Sequence, residues 1–157
     1  MPDDAWIAVG IHQDPGDRPS RDESAPRRRK IAAAVADLQA LHVIVVGRQM
    51  DPSRQERARR KCLERLLHLL AEAQVERVVL ESRSPRLNAA DGSLVDMLRV
   101  RNAIPAMLRI STERPETEPL LWVADAVAGA IRMAVVGTDG HHLDTLAAKT
   151  EIVELRV

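Results

Sequence analysis

The sequence predicts an α/β fold, and three observations carry that prediction. Short β-branched runs, His42–Arg48 (HVIVVGR), Glu76–Glu81 (ERVVLE) and Met107–Thr112 (MLRIST), recur along the chain. Between them lie longer stretches whose apolar residues repeat at helical spacing. The 157 residues are 45% hydrophobic, enough to give a single domain a core. Strands that alternate with helices form a largely parallel sheet, because each parallel strand must be reached by a crossover.

Taken in order, Trp6–Ile11 (WIAVGI) reads as a first strand. Residues 12–26 contain three prolines and no sizeable apolar side chain, so they read as a mobile loop. Asp22 or Ser24 then caps a helix with Pro26 in its first turn and an apolar stripe at Ile31, Ala34, Val35, Leu38 and Leu41. His42–Arg48 is continuously apolar after its histidine, as in a strand covered on both faces. Asp51-Pro52 is an N-cap followed by an N1 proline, and it opens a helix to about Gln74. Glu76–Glu81 is a second buried strand. Residues 83–92 read as a loop, with Asp91 or Ser93 capping a helix to about Asn102. Met107–Thr112 is a third strand, Glu118–Val136 a very apolar helix, His141–Lys149 a short helix, and Ile152–Val157 a final strand. No internal repeat interrupts this pattern.

Composition narrows the function. Lys and Arg number 23 and Asp and Glu also 23, so the chain lacks the overall basic charge of a protein that binds nucleic acid by bulk electrostatics; a local basic face stays open. Phe and Tyr are absent and Trp numbers two, which argues against a base-stacking platform. One cysteine, Cys62, can form neither an internal disulfide nor a thiolate zinc site, and it sits on the apolar side of its helix as a packing residue. No apolar run reaches the roughly 20 residues of a membrane span, and Met1-Pro2-Asp3-Asp4 does not read as a signal peptide. The expectation is a cytoplasmic protein. Neither a Gly-rich phosphate loop nor a G-x-S-x-G elbow occurs. His42 and His68 fall in apolar periods and read as structural, while His141 and His142 are adjacent and share no helix face for chelation.

In parallel sheets, sites form beyond the C-terminal ends of strands, which directs attention to Arg48, Glu81 and Thr112. Glu81 ends its strand, and it pairs either with Arg83 or Arg86 or with a divalent cation. In the last long helix, Glu118, Trp122, Asp125, Gly129 and Arg132 fall on one narrow stripe. A helix otherwise apolar all round is mostly buried, so Asp125 is expected in a low-dielectric setting that demands a partner. That partner is either Arg132 or a metal, and the small residues Ala124, Ala126, Ala128 and Gly129 would admit a neighbouring element. Asp91 is an N-cap or an added ligand, and Asp96 reads as solvent-facing. Arg54, Arg57, Lys61 and Arg65 share one face of the Pro52–Gln74 helix, opposite Ala58, Cys62, Leu66, Leu69 and Ala73. This strip is either an ordinary solvated face, with Glu56 pairing to Arg60, or a track for phosphates.

The segment EPLLWVADAVAGA (Glu118–Ala130) is similar to the LQxADxxAGA-type helix of a bacterial family named domain of unknown function 3800, which has a ribonuclease H-like fold. VERVVLESR (Val75–Arg83) resembles that family's internal strand ending in an acid, and the stretches Arg21–Leu38 and Arg54–Leu70 resemble further parts of it. The resemblance implies a ribonuclease H-like mixed sheet flanked by helices, with carboxylates at its edge holding Mg²⁺ or Mn²⁺ for phosphodiester cleavage. It places Asp125 on the helix aspartate and Glu81 on the strand-end acid, as catalytic and metal residues; Asp91 and Glu118, from their own positions in the sequence, are the further metal ligands expected. The family's first strand carries an Asp-Glu-Ser-type motif. Here WIAVGI matches the second strand of the pattern, and Asp22-Glu23-Ser24 lies in a loop instead. The fold is thus expected to be truncated at its N-terminus, with a sheet edge open to a second copy in a homodimer.

The expected function is that of a ribonuclease H-like relative of metal-dependent nucleases, either a divalent-metal-dependent phosphodiesterase or catalytically inactive in this form. It would have Glu81 and Asp125 converging on a shared cation and Arg54, Arg57, Lys61 and Arg65 binding substrate. The alternative is a noncatalytic binding or scaffold module that makes a partner contact through the basic helix face or the open sheet edge; the partners expected are nucleic acid and a second copy of the chain. A third reading is a hydrolase of a small phosphorylated molecule.

Overall fold

A computed structural model describes residues 42–48, 52–135 and 150–156, together with Lys30, Ala33, Ala34 and Asp37. The strand over 6–11, the loop 12–26, the Asp51 cap, and the helix over 141–149 with its two histidines lie outside the described residues. Of the helix after Pro26, the four described residues are helical and exposed. Ala34 is therefore not on a buried stripe; a lone methyl group has little area to gain from burial.

The protein is a mixed α/β structure with four strands and three helices among the described residues. They follow in the order β1 (His42–Arg48), α1 (Gln55–Glu72), β2 (Arg77–Glu81), α2 (Pro85–Val100), β3 (Arg109–Glu113), α3 (Leu120–Val135) and β4 (Thr150–Arg156). A 3₁₀ turn at Pro52–Arg54 precedes α1. The strands make two two-stranded sheets, β1 with β4 and β2 with β3, where the sequence pointed to one sheet. Contacts divide the chain into two units, one of Met1–Ile44 with Trp122–Val153 and the other of Val45–Leu121 with Glu154–Val157.

The second unit contains β2–α2–β3, a parallel pair joined by a helical crossover, as the alternating pattern predicted. Its register sets Arg77 beside Arg109, Val78 beside Ile110, Val79 beside Ser111, Leu80 beside Thr112 and Glu81 beside Glu113. The ladder continues past both ends, with the Arg109 amide donating to Glu76 O at 2.8 Å and the Ser82 amide to Glu113 O at 2.7 Å. Only Val78 and Leu80 of β2 are buried, and Arg77 and Glu81 are exposed. The expected fully covered strand is thus a half-covered one. His42–Arg48, by contrast, is the strand foreseen, with His42, Val43, Ile44, Val45 and Gly47 all buried.

Helix α1 buries Ala58, Cys62, Leu63, Leu66, Leu67 and Leu70. Leu69 and Ala73, assigned to this face from the sequence, are only half-buried, while Leu63, Leu67 and Leu70 join the core. The stripe is rotated because five leucines lie within eight residues, and periodicity alone cannot choose which of them face inward. Helices α1 and α2 both end in Schellman motifs. Gln74 (φ 58°) and Asn102 (φ 54°) are left-handed. The amides of Val75 and Ala103 reach back to Leu70 O and Leu98 O, and those of Gln74 and Asn102 to Ala71 O and Arg99 O. Asparagine suits that conformation; glutamine adopts it at some cost in strain.

Burial of Cys62 raises its thiol pKa, partly offset by a backbone hydrogen bond at Gly47 that joins α1 to β1. Desolvation dominates because a thiolate is worse placed than a thiol among apolar side chains. The unfolded chain would ionise at lower pH than the folded one. Stability is then whole below the unfolded value and falls as pH rises through it. Urea-unfolding midpoints measured from about pH 7 to pH 10 should decline at the alkaline end for the native chain and decline less for Cys62→Ala. An equal alkaline decline in both would show that Cys62 contributes nothing to it.

Candidate functional site

The β2–α2 turn carries the densest polar structure among the described residues. After Glu81 the chain runs Ser82, Arg83, Ser84, and α2 starts at Pro85 with Ser84 as its N-cap. The loop expected over 83–92 is therefore mostly helix. Ser84-Pro85 is the same cap-then-proline signal that Asp51-Pro52 provided, but Gly92 masked it by resembling a loop residue. A Cβ at Gly92 would meet nothing within 4 Å, so that glycine answers no steric demand.

Moving the helix start back by two turns changes what Asp91 is. It is not an N-cap. It heads the buried stripe Asp91, Leu94, Val95, Leu98 on α2, with its side chain 10% exposed. A carboxylate so placed requires cations, and two arginines supply them. Arg59 Nη1 donates to Asp91 Oδ1 at 2.7 Å, and Arg83 Nη2 lies 3.3 Å from Oδ1 and 3.2 Å from Oδ2. Arg83 Nη1 donates in turn to Glu56 Oε1 at 2.9 Å, and Glu56 is 57% exposed. Glu56 thus pairs across to Arg83 rather than along α1 to Arg60, whose Nη2 lies 3.7 Å from Met97 Sδ.

Asn88 completes the turn. Its Oδ1 accepts from the Arg83 amide at 2.8 Å, and its Nδ2 donates to Ser82 Oγ and to Arg83 O. The guanidinium of Arg83 is therefore fixed from both ends, by its backbone through Asn88 and by its head through Asp91. Arg59 was legible as an anomaly in the sequence, since helical spacing puts it among Cys62, Leu63, Leu66 and Leu70 on the covered side of α1. An arginine on an apolar face predicts a buried acid, and Asp91 on an apolar stripe predicts a buried base.

The other sequence candidates are distributed as follows. Glu81 is exposed at the end of β2, and Arg83, one of its expected mates, is engaged by Glu56 and Asp91. Its register neighbour is Glu113, which the sequence reading missed because pairing across a crossover is not visible in one dimension. Thr117 Oγ1 lies 3.4 Å from Glu113 Oε2. Glu118 is half-buried, and its Oε1 accepts a long 3.4 Å bond from the Leu120 amide at the start of α3. Asp96 is 78% exposed and lies 3.9 Å from Arg99.

Asp125 is exposed, not buried. The stripe it was assigned to is real, since Trp122 is 63% exposed and Gly129 is exposed with open space where a Cβ would stand. Leu121, Ala124, Val127 and Ala128 form the buried side of α3. The expectation that this mostly apolar helix buries Asp125 failed because α3 covers only the side of Leu121, Ala124, Val127 and Ala128 and turns the Trp122–Asp125–Gly129 stripe outward. The side chain of Arg132 lies outside the described residues. Glu81 belongs to the unit of Val45–Leu121, whereas Asp125 belongs to the other. Among the described residues, no three His, Cys, Asp or Glu side chains gather closely enough to hold a metal.

Arg54, in the 3₁₀ turn, and Arg57 and Lys61, on α1, are exposed, and Arg65 is half-buried. Arg57, Arg60 and Lys61 form no ion pair among the described residues, so their charge faces outward. Arg60, exposed one turn before Glu64, adds to the strip read from the sequence. No described helix is long and apolar enough to cross a membrane. Comparison of the chain with protein-family models, with curated protein sequences and with solved structures finds no match in any of the three.

Proposed function

We propose that this protein binds nucleic-acid backbones through the outer face of α1, as a noncatalytic relative of ribonuclease H-like nucleases. The carrying observation is the set of exposed cations Arg57, Arg60 and Lys61 on one helix, free of carboxylate partners among the described residues. Surface arginines in mixed-charge helices usually meet an acid within a turn; here Glu56 is drawn away to Arg83, and Glu64, one turn beyond Arg60, forms no ion pair among the described residues. Cations at successive helical turns follow a phosphate chain without reading bases, which matches a neutral protein with no Phe or Tyr. Ribonuclease H-like ancestry rests on the alternating pattern, the parallel β2–β3 pair and the ADAVAGA helix.

The experiment is titration of labelled single-stranded, duplex and hybrid oligonucleotides at several salt concentrations. Arg57→Ala with Lys61→Ala is expected to weaken binding about tenfold at low salt. It should also flatten the log–log salt slope by about two, since each phosphate contact contributes roughly 0.9 on duplex DNA. Unchanged affinity and slope would reject the α1 face, and no binding by the native chain would reject the reading altogether. Sedimentation in the same buffers reports whether the binding species is a dimer.

A second, metal-dependent reading is favoured by one observation, the register pairing of Glu81 with Glu113 at the C-terminal ends of parallel strands. Two carboxylates are a sparse but chemically suitable ligand set for Mg²⁺ or Mn²⁺, which keeps most of its waters. A bound ion would polarise a phosphodiester and activate water. Mn²⁺-dependent cleavage lost in Glu81→Gln and in Glu113→Gln would establish this reading over the noncatalytic one. Cleavage that survives both changes would count against it.

A further inference from the structure

We propose that Arg83 is a further phosphate-binding group of the α1 surface, held in reserve by Glu56, and that an incoming phosphodiester replaces the Glu56 carboxylate on Arg83 Nη1. This rests on the reading of α1 as a nucleic-acid-binding face and names an additional residue and its guard.

The two bonds of the Arg83 head differ in kind. Its Nη2 is tied to Asp91, whose side chain is 10% exposed and which Arg59 also holds at 2.7 Å. Its Nη1 is tied to Glu56, which is 57% exposed. The inner bond is the anchored one, because breaking it would leave the largely buried Asp91 carboxylate with Arg59 alone to compensate its charge. The outer one is an exposed ion pair, whose net contribution is close to nothing because water and salt compete for both partners.

Exchange at Nη1 is therefore inexpensive, and the guanidinium stays oriented when Glu56 leaves, since Asp91 and the Asn88 bond to the Arg83 amide do not depend on it. With Nη2 held by Asp91, Nη1 is the donor left for a phosphate oxygen, and its bond to phosphate is charge-assisted as its bond to a carboxylate is. Position favours the exchange as well. Glu56 lies one helical turn from Arg60 and next to Arg57 in sequence, so a strand following those cations arrives beside it. Phosphate there would meet repulsion from Glu56 until the carboxylate swings out, and attraction from Arg83 afterwards.

The test compares Glu56→Asp, Glu56→Gln and Glu64→Gln with the native chain in duplex binding at low salt. Glu56→Asp keeps the charge but shortens the side chain, which loosens the 2.9 Å bond to Arg83. Expected is binding about twofold tighter for Glu56→Asp and about fivefold tighter for Glu56→Gln, the range of an exposed ion pair. Glu64→Gln, which removes an equal charge from the same helix without touching Arg83, should change affinity by less than about twofold. Native affinity in Glu56→Asp together with equal gains in the two glutamine variants would overturn the proposal, leaving only a general effect of charge. If Arg57→Ala with Lys61→Ala also binds normally, the α1 reading fails; if it weakens binding while Glu56→Asp stays native, only the role of Arg83 fails. Each substitution is on a residue with water access, and circular dichroism confirms folding before titration.

Discussion

Asp91→Ala is expected to lower the unfolding free energy by about 2–4 kcal/mol. Removing one partner of a buried ionic group costs roughly 3–5 kcal/mol because the remaining charge is stranded. The figure here is somewhat smaller, since Arg59 and Arg83 keep 19% and 22% of their side-chain surface and can turn partly toward water. For a chain of 157 residues this corresponds to a fall of about 5–15 °C in Tm. Asp96→Ala, on the same helix but 78% exposed, should stay within about 0.5 kcal/mol of the native chain. Equal melting temperatures for the two variants would show that the Asp91 pairs carry no stability. The double change Arg59→Met with Asp91→Leu should recover part of the loss, because apolar side chains of similar volume replace a buried pair at little cost.

Leu66→Ala should cost about 2–5 kcal/mol, the range for a fully covered leucine that leaves a cavity. Leu66 has no exposed surface. Leu69, one turn face away and half-buried, should cost less when truncated, because its environment is already partly water. Chemical denaturation of Leu66→Ala, Leu67→Ala and Leu69→Ala reads out which leucines face the core. Similar losses at all three would contradict the rotated stripe of α1.

The rotation shows where one-dimensional reading stops. In α1 the run Leu63-Glu64-Arg65-Leu66-Leu67-His68-Leu69-Leu70 fits several apolar faces equally well, and the choice falls to whatever the helix packs against. Helix α2 was misread for a different reason. Gly92 and the charged Asp91 look like loop residues, and only the bonds from Arg59 and Arg83 make a mid-helix carboxylate tolerable. In α3 the stripe through Trp122, Asp125 and Gly129 was correctly drawn but its exposure was not foreseen, since an apolar composition does not say which side of a helix is covered.

The candidate site divides in the same way. Cations on α1 were visible because helical spacing is local and rigid, so Arg57 and Lys61 must share a face wherever the helix goes. The Glu56–Arg83–Asp91–Arg59 network was not, because its members lie up to 35 positions apart and meet only when α2 folds back beside α1. Sequence alone thus determined the α/β alternation, the strand at His42–Arg48 and the basic face, all of which follow from near-neighbour geometry. The tertiary structure decided which carboxylates are buried, which arginines answer them and which cations are left exposed. Those outcomes depend on the competition between desolvation and pairing, and that competition is settled only by distances between residues remote in the chain.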